Sequence, residues 1–303
     1  MKYLILLFVI LLWFLTACGQ PAVEPPPATA EPEQELAEPQ PNSPIATPAE
    51  GNGSPLATPA PPQTTPAGTD GEVGALEEVS WNTDPEAVII SATFCCGFTT
   101  RTTVMNYLAA ATIFGDGRIV WVETDLNGGR QVFEAKLDPD QLSGLISRIE
   151  ADGFFDWEDR YANENVADAA EQCLSVNLNP QQKQVCEYVE GAPPAFHQLY
   201  DDLDGGLGLS GTAFVPERAY VTATPLEGFS AGDGPPITGE WPADELGVSL
   251  ADYQTGTWLE GEPLATAWQI INQNWQIGLV QEGDTVYELW LQLPALSLAA
   301  PME

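Results

Sequence analysis

Positive charge is nearly missing from this sequence. Nine Lys and Arg stand against 44 Asp and Glu in 303 residues, a formal net charge of −35. Charged residues make up only 17%, so the imbalance comes from a shortage of bases rather than a surplus of acids. Nucleic acid is excluded as a partner, because phosphate contacts require a clustered basic surface. Histidine is equally scarce: His197 alone is available for metal ligation or proton transfer near neutral pH. No Gly-rich phosphate loop follows a strand and opens a helix, and no Gly-x-Ser-x-Gly elbow is present. What is there suffices for a folded core, with 44% hydrophobic residues, but 27 Pro and 27 Gly mark part of the chain as unable to pack.

Met1 and Lys2 form a short positive segment, and residues 3–15 are an uninterrupted apolar run. A membrane-spanning helix needs about 20 residues, so the run is too short to span and has the length of a secretory signal. It ends in Leu15-Thr16-Ala17-Cys18-Gly19, which resembles the lipobox of bacterial lipoproteins. The resemblance implies cleavage before Cys18, a signal peptide over 1–17, and diacylglycerol plus fatty acid such as palmitate on Cys18. Two or three acyl chains hold a protein on a bilayer stably where one does not. The expected location is extracytoplasmic, anchored by lipid to a bacterial membrane.

Residues 18–80 read as a tether. From 19 to 80 the chain has 14 Pro, no aromatic residue, and neither Lys nor Arg. Such a segment cannot bury enough apolar surface to offset its ordering entropy, and an extended, partly polyproline-II spacer is expected.

From Trp81 the pattern becomes periodic. A continuous apolar β-branched run over 88–94 predicts a buried strand. Strands over 107–114 and 118–123 flank Gly115-Asp116-Gly117, a hairpin signal, and 130–136 reads as a fourth strand. Asp138 as N-cap and Pro139 at the first helical position open a helix whose apolar residues Leu142, Leu145, Ile146 and Ile149 lie on one face, closed by Gly153. A second hairpin is predicted over 172–178 and 183–189. A second helix from Pro194 carries Phe196, Leu199, Tyr200 and Leu203, and ends at Gly205-Gly206. The order ββββ-α-ββ-α predicts an α+β fold over 81–210, an antiparallel sheet with helices on one face. The region 211–303 predicts a strand over 218–224, a helix over 263–274 and a hairpin of 275–280 with 285–293. About 80 residues with so few elements are expected to pack on the first region, with 218–224 extending its sheet.

Cys96-Gly97 at the end of an early strand, Asp116-Gly117 in a hairpin turn, the helix exit Gly153-Phe154-Phe155 and the Pro194-led helix together resemble a domain family of unknown function found in bacterial lipoproteins. The resemblance spans 86–205. It implies no activity. Where the family pattern has a second Cys followed by Pro, this chain has Phe98-Thr99-Thr100, and adjacent Cys95 and Cys96 appear instead.

Outside the reducing cytoplasm, the four Cys other than Cys18 are expected to form structural disulfides. Cys173 and Cys186 fall on the two arms of one predicted hairpin and are expected to be joined. The pairing of Cys95 and Cys96 stays open. Neither pair has the Cys-x₂₋₄-Cys spacing common among zinc ligands, so no metal or other cofactor is expected. His197 reads as a solvated helix residue able to pair with Asp201 at i+4.

Acids cluster at Asp152, Asp156, Glu158 and Asp159, and again at Asp201, Asp202 and Asp204. Paired carboxylates run glycoside hydrolysis when set across a cleft, but in so acidic a chain clusters usually mark solvated loops. Asp202-Leu203-Asp204-Gly205 resembles part of a calcium loop, yet Tyr200 occupies its first ligand position and no Glu stands at its twelfth. Trp121, Trp268, Trp275 and Trp290 are expected in the core; Trp81, Trp157, Trp241 and Trp258 are the better surface candidates. The expected role is non-enzymatic: binding, scaffolding or envelope maintenance, with the lipid bilayer as partner through Cys18 and an envelope protein or glycan as a further one. The alternative is a hydrolase of envelope glycans or peptides using paired carboxylates.

Overall fold

The computed structural model describes residues 80–299 apart from 164 and 230–233, and for Cys96 the backbone only. Cys18, the signal segment and the tether lie outside the described residues. The fold is α+β, with two sheets. The first contains β1 (Val88–Cys96), β2 (Ala111–Phe114), β3 (Arg118–Thr124), β4 (Arg130–Lys136), β5 (Arg160–Ala162), β6 (Ala170–Asn177), β7 (Gln182–Tyr188) and β8 (Thr212–Ala213), in the order β5-β7-β6-β1-β2-β3-β4-β8. All its pairings are antiparallel except that of β5 with β7.

Two helices cover one face of this sheet. The first, Pro139–Ala151, is held at its start by a reciprocal capping box between Asp138 and Gln141, and its exit turns through Gly153 at φ 76. The second, Pro194–Asp204, buries Phe196, Leu199, Tyr200 and Leu203. Both present their apolar stripe to Ile113, Ile119, Trp121, Leu174, Val176 and Val185 of the strands. Arg148 joins the helices by pairing with Asp202 at 2.6 Å while also meeting Asp152 of its own turn at 3.6 Å.

The opposite face of the first sheet is covered as well. Val88, Phe114, Val120, Val122 and Val132 share a second core with the C-terminal elements. These are β9 (Arg218–Pro225), β10 (Gly239–Glu240), β11 (Thr257–Glu260), β12 (Leu279–Glu282) and β13 (Thr285–Gln292), ordered β10-β12-β13-β9-β11, with a helix over Gly261–Ile271. The C-terminal region therefore packs on the first sheet, as expected. Strand β9 does not extend that sheet: it lies between β13 and β11. Ala219, Tyr220, Val221, Thr222 and Ala223 are all buried in succession, which requires cover on both faces and neighbours on both edges. The edge beyond β4 is taken instead by the two-residue β8.

The expected strand over 107–114 is also corrected. Only 111–114 pair as β2; upstream of it stands a short helix, Arg101–Met105. The reason is Asn106, which is fully buried. Strand β12 begins at Leu279, opposite Glu288, so the later part of β13 has no β12 neighbour. Asn106 stands in for it: its Nδ2 donates to Leu289 O at 3.0 Å, and its Oδ1 accepts from Leu291 N at 2.9 Å. The next residues pair with the C-terminal end, Ala109 N donating to Leu296 O at 2.8 Å. A side-chain amide thus supplies what another strand residue would have, because buried strand groups must be paired.

Cys173 and Cys186 face each other across β6 and β7 and are joined, with Cα atoms 4.1 Å apart. The short separation is that of a non-hydrogen-bonded antiparallel pair, and Cys186 N accordingly points away from β6 and donates to Asp159 O. Among the described residues no helix is long and apolar enough to cross a membrane.

Asn106→Leu keeps volume but leaves Leu289 O and Leu291 N buried and unpaired. Two such groups cost about 1–3 kcal/mol each. Urea unfolding of the variant is expected to show a loss of about 2–5 kcal/mol; an unchanged midpoint would refute the role given to Asn106.

Candidate functional site

The short β2 leaves a gap in the first sheet. Strand β1 pairs with β2 only as far as Ala92, and β3 pairs with it only as far as Trp121. Beyond those points β1 runs on through Phe94 and β3 through Val122 and Thr124 with no strand between them. A cavity of about 290 Å³ occupies this space. Its wall comprises Phe94 and its cross-strand neighbour Gln172, Tyr107 to one side, Val122 and Thr124 on β3, Tyr200 and Asp204 from the helix, and Arg130 and Trp275. Sites for small ligands have this character, mostly apolar with a few placed polar groups.

Arg130 is the unusual member. It opens β4 and is 5 % exposed. Its Nη1 donates to Asn106 O and its Nε to Asn272 Oδ1, while its backbone N donates to Asn272 O at 2.9 Å. Its guanidinium carbon lies 5.5 Å from the ring centres of both Trp268 and Trp275. Nη2 is buried and has no hydrogen-bond partner among the described residues. No carboxylate among the described residues pairs with it, and burial alone pulls the group down to about 9. It remains protonated at neutral pH, a buried cation whose hydrogen-bonding capacity is incompletely used.

The lining also contains one acid. Asp204 ends its helix at the rim, where partial desolvation, then Asp201 and Glu123, raise its carboxyl above the ordinary range. Burial, followed by the field of Asp204, raises both Tyr107 and Tyr200. No hydrogen bond to protein holds either phenol among the described residues. Tyr107 packs edge-on against Trp275, ring centres 5.3 Å apart.

The residues singled out from sequence are dispersed. Asp152 and Asp202 are committed to Arg148, and Asp159 lies 3.3 Å from Lys183. Asp204 alone of the seven acids lines this cavity. His197 pairs with Glu187 rather than Asp201: its Nε2 is 3.5 Å from a carboxylate oxygen that is itself buried and accepts from Ala192 N. The adjacent β7 carries Glu187 to the exposed rim of the helix where His197 stands, a cross-element contact that helical spacing cannot show. Glu171, Cys173 and Cys186 come within metal-binding distance of one another, but both sulfurs are consumed by their mutual bond. Cys95 is likewise disulfide-bonded.

Trp121, Trp268, Trp275 and Trp290 are buried as expected. Trp241 is not a surface residue: it is 4 % exposed and donates to Val248 O at 2.9 Å. Trp258 is the exposed one, with Arg218 over its ring at 4.9 Å. Sequence reading missed Arg130, Tyr107 and Trp275 as site residues. One signal was available, since Arg130 is one of only nine bases and follows a Gly-Gly turn.

Residues 86–206 match the family described as Domain of unknown function (DUF6438). Every residue lining the cavity falls within the match except Trp275. No curated protein and no solved structure matches the chain.

The raised Asp204 carboxyl has a consequence for stability. Its folded pKa lies above the unfolded value of about 3.9, so the native state binds the proton more tightly and stability falls as pH rises through that window. Asp204→Asn removes this penalty. The variant is expected to exceed the parent in stability at pH 7 and to lose that advantage near pH 3, as read by urea unfolding at both values. A variant less stable than the parent at pH 7 would contradict the assignment.

Proposed function

We propose that the chain is a lipid-anchored extracytoplasmic binding protein, its folded region held off a bacterial membrane by the 18–80 tether and its cavity open to a small solute of the envelope. The observation that carries this reading is the cavity beside β2, walled by aromatic rings and by a buried arginine with which no carboxylate pairs among the described residues. Such a group is costly to keep unless something compensates it. The lipobox-like Leu15-Thr16-Ala17-Cys18 supports the anchor, and the Pro-rich composition supports spacing, about 45 Å for a relaxed coil of this length by √n scaling.

A non-enzymatic role fits the separation of the acids, since Asp152, Asp159 and Asp202 are engaged with bases rather than set as a pair across this cavity.

Two measurements test the proposal. Cys18→Ser is expected to abolish lipid labelling and to move the protein from the membrane to the soluble fraction; labelling that persists would refute the anchor. The full chain in detergent is also expected to gain thermal stability with at least one class in a panel of sugars, amino acids, short peptides and sugar phosphates. Ala110→Trp, which fills the cavity, should abolish the gain. No shift with any class, or turnover of a panel member, would overturn the binding reading.

A further inference from the structure

The cavity is lined by two charges of opposite sign, Arg130 and Asp204. Arg130 is buried, and no carboxylate pairs with it among the described residues. Asp204 feels further negative charge from Asp201 and Glu123, and no base pairs with it among the described residues. Tyr107, Tyr200 and Trp275 share the same lining. If only one of the two charges called for a partner, a simple ion would suffice.

Resting on the reading of this cavity as a binding site, we infer that its ligand is a small zwitterion, carrying a carboxylate for Arg130 and an ammonium for Asp204, as in a free amino acid or a short peptide. The chemistry is complementary at each end. A guanidinium presents paired N–H donors to a carboxylate. An ammonium relieves the repulsion among Asp204, Asp201 and Glu123, and the faces of Tyr107 and Trp275 attract a cation that approaches them. A volume of about 290 Å³ restricts the ligand to a few residues at most. A neutral sugar would leave the charge at both ends uncompensated, and a sugar phosphate would bring its anion toward Asp204 as well as Arg130.

The competing explanation for Arg130 is purely structural, because Nε and Nη1 already tie β4 to Asn272 and Asn106. That role accounts for two donors and for the stacking between tryptophans. It gives no reason for the acid that lines the same cavity.

The test is calorimetric titration of the full chain in detergent with L-alanine, L-phenylalanine and L-alanyl-L-alanine, beside acetate and ethylamine as single-charge probes. At least one zwitterion is expected to bind at least tenfold more tightly than either single-charge probe; the amino-acid and dipeptide arms show which length fits. Arg130→Met is expected to abolish binding, but Arg130 also holds the fold together, so Asp204→Asn and Tyr200→Phe serve as variants that spare those bonds. Asp204→Asn should reduce the preference for the zwitterion over acetate about tenfold while the circular dichroism spectrum is unchanged. Acetate binding as tightly as every zwitterion, or an Asp204→Asn preference equal to that of the parent, would overturn the inference. Failure of all zwitterions while a sugar stabilises the protein would overturn it too, and would leave the binding role intact.

Discussion

Asn106 is the constraint on which the described structure turns. Its amide completes the hydrogen bonding of β13, a strand of the second sheet, while its backbone carbonyl receives Arg130 from the first. One residue therefore fixes the relation between two sheets through bonds that cannot be exchanged for water, since both partners are buried. Apolar contacts across the shared core supply most of the burial, but such contacts are non-directional. The register between the sheets requires groups with geometry, and the Asn106–Arg130–Asn272 chain of bonds provides them.

The same constraint makes the cavity. Holding residue 106 against β13 draws 107–109 out of line with β2 and toward the C-terminal segment, where Ala109 N bonds Leu296 O, while Ala110 O still accepts from Val122 N of β3. The first sheet then lacks a strand at one end, between Phe94 on β1 and Thr124 on β3. A gap in a sheet ordinarily fills with side chains. Here Tyr107, Tyr200 and Trp275 surround it without closing it, and each brings a polar atom with it. The fold accepts the burial of Arg130 because two tryptophan faces and two carbonyl acceptors offset part of its desolvation.

Local signals in the sequence were dependable where local chemistry decides the outcome. The Asp138-Pro139 helix start, the 130–136 strand, the Pro194 helix and the Cys173–Cys186 hairpin all follow from capping, alternation and apolar spacing, which act over a few residues. The site was hidden for the opposite reason. Tyr107 and Tyr200 are far apart in sequence, and Trp275 is farther still; only the sheet order brings them together. The strand expected over 107–114 looked sound because Leu108, Ala109, Ala110 and Ala111 are apolar, yet a buried asparagine with partners more than 180 residues away outweighs local propensity. The same holds for His197, whose helical neighbour Asp201 was visible and whose actual partner Glu187 lay on another element.

Structural and ligand-binding roles in Arg130 are not alternatives. A group that uses Nε and Nη1 to fasten β4 to residues 106 and 272 holds its charge in a fixed place beside the cavity, and a fixed charge loses little entropy when a ligand meets it. Conversely, a bound carboxylate compensates a charge that otherwise sits in the junction between the sheets at a cost. On the proposed reading, occupancy of the cavity stabilises that junction, because any ligand that binds only the native state shifts the folding equilibrium by RT ln(1 + [L]/Kd). The acidic rim has the complementary effect, since Asp201, Asp204 and Glu123 repel one another until a cation arrives. Arg130 is thus common to the bonds that secure the two sheets and to the lining of the cavity.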